Sequence, residues 1–139
     1  MARKITYWTS TVIAGLALLA AASYLSGNEQ VTTGFAKAGY PQHLRIVLGF
    51  AKPAAGIILL LPGLALLKEW AYAGATFAWI MAFISAYLQG EGPQVWSMPL
   101  VLLVLLMVSY LTRPPGRQLT RGISVKPPLT PSAATETMK

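Results

Sequence analysis

Lys52 lies in the apolar stretch LGFAKPAAGIILLLPG, residues 48–63, and Pro53 follows it directly. A buried ammonium can hold an anionic or carbonyl group of a ligand, tie to a carboxylate, or snorkel toward an interface. Gly49 precedes it by three residues and Gly56 follows by four, so all three share one helical face. A face of small residues turns toward neighbouring helices. Tyr24, Ser26, Ser85, Tyr87 and Glu91 fall near the same depth. Lys52, Tyr24, Ser85, Tyr87 and Glu91 therefore form a candidate ligand-binding polar site. Two structural alternatives stand beside it. Lys52 could snorkel, or it could tie to Glu91 or to the Gly49 carbonyl, which Pro53 leaves without its helical partner. Pro62 frees the Ile58 carbonyl in the same way.

The remaining inventory excludes much chemistry. There is no Cys and no Asp, and His43 is the only His. Disulfides, thiolate metal sites and Cys-bound clusters are ruled out within the chain. No catalytic residues, metal ligands or intrinsic cofactor motif emerge. Whether the chain is an enzyme is left open, with the inventory leaning against one acting alone. Any haem or redox metal would need ligands from elsewhere.

The elements that must position these residues are membrane helices. Hydrophobic residues make up 55% of the 139 and charged ones 11%, against about 25% charged in soluble domains. Mean hydropathy is +0.54. Four apolar segments, residues 5–25, 44–67, 70–88 and 95–111, approach the roughly 17–25 residues that cross a bilayer as a helix. Arg3 and Lys4 before a run ending in AAAS also resemble a signal peptide. The apolar character continues through Tyr24 and Leu25, which favours an uncleaved first helix. The expected fold is all-α: an integral membrane antiparallel four-helix bundle with both termini cytoplasmic. Inside fall Arg3, Lys4, Lys68, Arg113, Arg117, Arg121, Lys126 and Lys139; outside, only Lys37 and Arg45. The net charge of +7 then reflects this bias, and no basic–aromatic interleaving suggests nucleic acid. With this orientation the Lys52 site lies toward the outer leaflet.

Tyr7, Trp8, Trp70, Tyr72 and Tyr110 are expected at the inner interface, and Tyr24, Tyr87 and Trp96 at the outer one. Residues 28–39 could form a short interfacial helix. Lys68, Glu69, Trp70 and Tyr72 are expected to form a structural inner turn, Lys68 ending the second helix and Glu69 opening the third. Gly74, Ala78, Ala82 and Ala86 predict a close-packing face on the third helix; Gly49, Gly56 and Gly63 do so on the second, and Ala14, Ala17 and Ala21 on the first. The transmembrane domain is expected to span residues 1–112. Residues 113–139, basic and rich in Pro, Ser and Thr, read as a disordered cytoplasmic tail.

Several motifs resemble the DoxX-like family of small bacterial four-helix membrane proteins. They are YWTST at 7–11, SYLSG at 23–27, GYPxxLxxxLGxxK at 39–52, LKEWAYAG at 67–74 and SYLTRPPGR at 109–117. The resemblance runs from about residue 4 to 117 and implies the same four-helix fold. It also implies wider relatives linked to thiosulfate–quinone oxidoreduction and redox stress, while most members have no assigned reaction. Relatives often carry SHxxxGD near the outer end of the third helix. This chain has Ser85 and Gly90 there, with Ala86 at the His position and Glu91 for the Asp.

The expected function is accordingly an accessory or lipid- or quinone-binding membrane module. A membrane subunit of a quinone-linked oxidoreductase complex is the alternative, and a small oligomeric anion transporter the second alternative. Quinone is the candidate cofactor. Membrane lipids, a redox partner subunit and further copies of the chain are the candidate partners. The expected location is the bacterial cytoplasmic (inner) membrane, as a multi-pass protein.

Overall fold

A computed structural model describes residues 1–115; the expected tail from residue 116 onward lies outside the described residues. Within them every regular element is helical. Helix α1, Ala2–Ala20, continues as a 3₁₀ segment, Ala21–Ser26, which ends at Gly27 in the left-handed region. Helix α2, Glu29–Lys37, is capped by the Asn28 side chain, which accepts from the Gln30 N–H. Helix α3 covers Gln42–Leu60, α4 Ala65–Leu88 and α5 Pro93–Thr112. By length and composition α1 with its extension, α3, α4 and α5 can each cross a membrane. Large apolar side chains such as Phe50, Phe77, Leu88 and Leu111 face outward, each more than 60% exposed. Such a surface belongs in lipid.

The connection between α3 and α4 differs from the expected one. Its residues are Leu61–Leu64, not Lys68 and Glu69. Pro62 pushes Leu61 out of helical geometry, to ψ 146°. Gly63 then takes φ 74° and Leu64 φ 55°. Gly63 is therefore a turn residue and not part of a packing face, and Lys68, Glu69, Trp70 and Tyr72 lie inside α4. Apolarity runs unbroken through this turn, so hydropathy alone could not mark it.

The core is built from Ala14 and Leu18 of α1, Leu59 of α3, Ala71, Tyr72, Ala75 and Trp79 of α4, and Leu106 of α5. A close seam joins α1 and α3. A Cβ on Gly56 would stand 2.8 Å from the Gly15 carbonyl oxygen and 3.1 Å from Leu18 Cβ. Gly49 faces the Leu25 side chain on the same side. The glycine face of α3 is thus occupied by α1. Helix α4 meets a different flank of α3, which bears Leu44, Leu48 and Lys52.

Candidate functional site

The small-residue stripe expected on α4 does not pack closely along its whole length: Ala86 is buried, Ala78 and Ala82 are half-buried. Gly74 is exposed, and a Cβ there would meet nothing within 4 Å. With α3's glycines turned to α1, the small side chains of α4 stand opposite larger ones and leave a trench. Gly74, Ala78, Ala82 and Ala86 instead form one wall of an apolar cavity of about 690 Å³. Leu44, Leu48 and Lys52 supply the facing wall, and Val31, Gly34 and Phe35 of α2 lie across one end.

Four of the five residues of the candidate polar site line this cavity: Lys52, Tyr24, Ser85 and Glu91. Tyr87 does not. It is 63% exposed, with its ring centroid 6.0 Å from that of Phe83 and 6.3 Å from that of Trp96. Ser85 and Ala86 both line the cavity; Tyr87 stands about 200° around the helix from Ser85 and so falls outside that face. Lys52 is half-buried on the edge of the glycine face. Side chains lean toward a helix's N-terminus, which carries the ammonium toward the α2 end. There Nζ lies 5.1 Å from the centroid of the Tyr24 ring, a cation–π contact. Arg45 holds Tyr24 from behind by donating to its carbonyl oxygen, and Phe35 packs on the ring edge-on at 5.3 Å. Among the described residues Lys52 makes no salt bridge to Glu91 and no hydrogen bond to the Gly49 carbonyl. The structure contains neither expected tie.

A lysine-to-carbonyl tie does occur, but at the opposite end of the bundle. Lys68 is fully buried. Its Nζ donates to the carbonyls of Ile58, at 2.6 Å, and Leu59, at 3.1 Å, and also to that of Leu61. The Ile58 carbonyl is the one freed by Pro62. Beside it lies a buried polar cluster drawn from three helices. Thr11 Oγ1 donates to the Tyr7 carbonyl at 2.6 Å and meets Ser109 Oγ at 2.6 Å, while Tyr72 OH meets Ser109 Oγ at 2.7 Å. Each hydroxyl has one proton. With Thr11 donating to Tyr7, Ser109 donates to Thr11 and Tyr72 donates to Ser109. The chain of bonds ties α4 to α5 to α1.

Arg113 completes this end. It is 3% exposed and therefore part of the folded bundle, not the first residue of a tail. Its guanidinium donates to Glu69 Oε1 at 2.6 Å and stacks 4.3 Å from the Tyr110 ring centroid and 5.0 Å from that of Tyr72. Tyr110 OH donates to Glu69 Oε2 at 3.2 Å, and Arg3 donates to the Arg113 carbonyl at 3.2 Å. Tyr7 and Tyr72 thus point into the bundle and not to an interface, whereas Trp70 is 67% exposed. The signal for this cluster was present in the sequence. YWTST, LKEWAYAG and SYLTRP supply nearly all its members. Their polar residues are far apart in the chain, and only folding shows that they converge. Among the described residues no three metal-ligating side chains gather.

An all-helical chain with four membrane-capable spans, an apolar cavity and buried polar ties is a multi-pass membrane protein by its composition and fold. Residues 8–109 match the DoxX-like family, and the chain belongs to it. No curated protein and no solved structure matches the chain.

Proposed function

We propose that this DoxX-like protein is a non-enzymatic membrane module that binds an amphiphile, a lipid or a quinone, in the cavity between α2, α3 and α4. The proposal includes an antiparallel bundle with both termini cytoplasmic, which puts the cavity toward the outer leaflet. One observation carries the reading: an apolar cavity of about 690 Å³ that presents a half-buried lysine which makes no salt bridge among the described residues. Ligand sites have this character, at about 300–1,000 Å³ with apolar walls and a few polar groups that orient the guest. A purely structural lysine would be expected to find a carboxylate or a carbonyl, as Lys68 does. The ring of Tyr24 covers one side of the Lys52 ammonium; its N–H donors can serve a phosphate, carboxylate or quinone oxygen.

The test fills the cavity without touching the core. Ala78→Trp places an indole in the trench. Delipidated full-length protein in mild detergent would be titrated with a short-chain quinone analogue and with phosphatidylcholine, and the bound fraction read by native mass spectrometry. The wild type should bind at least one of the two, and Ala78→Trp should weaken that binding about tenfold while melting at a similar temperature. Binding of neither probe by the wild type, or equal binding by both proteins, would exclude the cavity as the site.

A further inference from the structure

The apolar cavity does not end at α2. Gln30, Gly34, Gln89 and Glu91 also line a second, polar cavity of about 590 Å³. Glu29, Thr33 and Lys37 line only the second one, and Val31, Phe35 and Ala38 only the first. Helix α2 is therefore a partition. Its apolar edge roofs the trench and its polar edge walls a vestibule. Along the joined space the chemistry changes from one cavity to the other. Small and apolar side chains and the Lys52 ammonium beside Tyr24 line only the first cavity, Glu91 lines both, and Glu29 and Lys37 line only the second. Among the described residues none of these charges is paired with another.

We propose that the occupant is a glycerophospholipid whose headgroup carries a primary ammonium. This rests on the amphiphile-binding reading above. Apolar, cationic and anionic zones match the order of acyl chain, phosphate and ammonium in such a lipid. The phosphate lies at Lys52, where a charge-assisted bond replaces water. The ammonium lies by Glu91 and Glu29, whose oxygens accept its N–H groups. The chains leave the trench past Phe77 and Met81, which line it and are 70% and 49% exposed, and so continue into the bilayer. A fatty acid satisfies Lys52 and leaves the carboxylates unanswered. An anionic glycerol headgroup brings no cation to two carboxylates. A choline headgroup brings charge but no N–H to donate.

Native mass spectrometry of the delipidated full-length protein tests this, with phosphatidylethanolamine, phosphatidylcholine and phosphatidylglycerol of identical chains. The wild type should prefer phosphatidylethanolamine to phosphatidylcholine by roughly two- to fivefold, the range expected when only the first donates solvent-accessible N–H bonds to the carboxylates. Glu91→Gln combined with Glu29→Gln should abolish that preference, weakening phosphatidylethanolamine binding more than phosphatidylcholine binding. Lys52→Met should weaken all three phospholipids. Both acidic side chains lie on exposed segments, so the double variant keeps the wild-type melting temperature and decides the matter even if Lys52→Met misfolds. Equal binding of the ethanolamine and choline lipids, tightest binding of phosphatidylglycerol, or a preference that survives the double variant overturns the headgroup assignment. If lipid or quinone binding persists in those cases and is lost in Ala78→Trp, the amphiphile site stands without it. If neither binds, both readings fall.

Discussion

At the scale of single residues, Lys68 and Lys52 show how one side-chain type is put to opposite ends. The last carbonyls of a helix have no partner within it, and Pro62 prevents α3 from continuing. In hydrocarbon those carbonyls cannot turn to water. The Lys68 ammonium has three donors on one tetrahedral atom, and it meets three carbonyls. Lys68→Met would leave all three unanswered. We expect it to destabilise the folded protein by about 2–4 kcal/mol, since hydrogen bonds to charged groups contribute about 1.5–3 kcal/mol each and removing the buried charge recovers part of the loss. Lys68→Arg should rescue only partly, because a flat guanidinium cannot converge three donors on one point. Chemical unfolding in detergent micelles reads both variants, and a Met variant as stable as the wild type would refute the capping role. Ser109→Ala should cost about 1–3 kcal/mol by the same assay, because it removes the acceptor of the buried Tyr72 hydroxyl and the bond that Thr11 accepts. The sequence contains the evidence for Lys68 in Pro62–Gly63, a pair that punctuates helices. The unbroken apolar run masks that pair and places the expected turn about six residues too far along. Lys52 was legible as exceptional from its setting alone. The cation–π contact with Tyr24 was not, since it depends on where Arg45 anchors the 3₁₀ segment.

At the scale of elements, glycine spacing identifies faces and does not say which neighbour each face meets. Gly56 and Gly74 recur in equally regular patterns, yet one backs onto a carbonyl and the other onto open space. The difference arises because α3 has one small-residue face and α1 occupies it. A trench on α4 is then a consequence of how α3 is shared, a three-body fact that no single helix records. Gly56→Ala must push α1 away or tilt α3, and overpacking of this kind typically costs about 1–3 kcal/mol. Gly74→Ala meets nothing and gains helix propensity of about 1 kcal/mol in soluble hosts, so it should be neutral or slightly stabilising. Gly49→Ala should fall between them, since its near neighbour is the end of the Leu25 side chain and can rotate away. Parallel thermal melts of the three proteins, each monitored by helical circular dichroism, should give that order. Equal losses at Gly56 and Gly74 would mean that α4 does pack on its small-residue stripe and that the cavity closes in the membrane.

At the scale of the whole molecule, the distribution of charge and the position of the cavity depend on one another. Basic residues gather where Arg3 meets the Arg113 carbonyl; Lys37 and Arg45 lie at the other end, near α2. Lys68 and Arg113 are buried in the finished bundle, which removes them from the surface. It does not remove them from the count that decides orientation, because insertion is settled while the segments are still separate. Folding then gives these two cations a second use, Lys68 on the carbonyls of α3 and Arg113 on Glu69. The proposed topology therefore places α2, the polar vestibule and Lys52 on the outer side, and the Lys68–Arg113 cluster on the cytoplasmic side. The absence of Cys makes the test clean, since any thiol introduced is the sole one. Thr33→Cys on α2 and Gln94→Cys at the start of α5 are both exposed. Each should react with a membrane-impermeant maleimide in intact cells or right-side-out vesicles. Ala2→Cys should react only after the membrane is opened. The reverse pattern would invert the molecule and turn the cavity to the cytoplasmic leaflet. The amphiphile it meets would then come from a leaflet with different lipids, and the binding measurements would have to be judged against that pool.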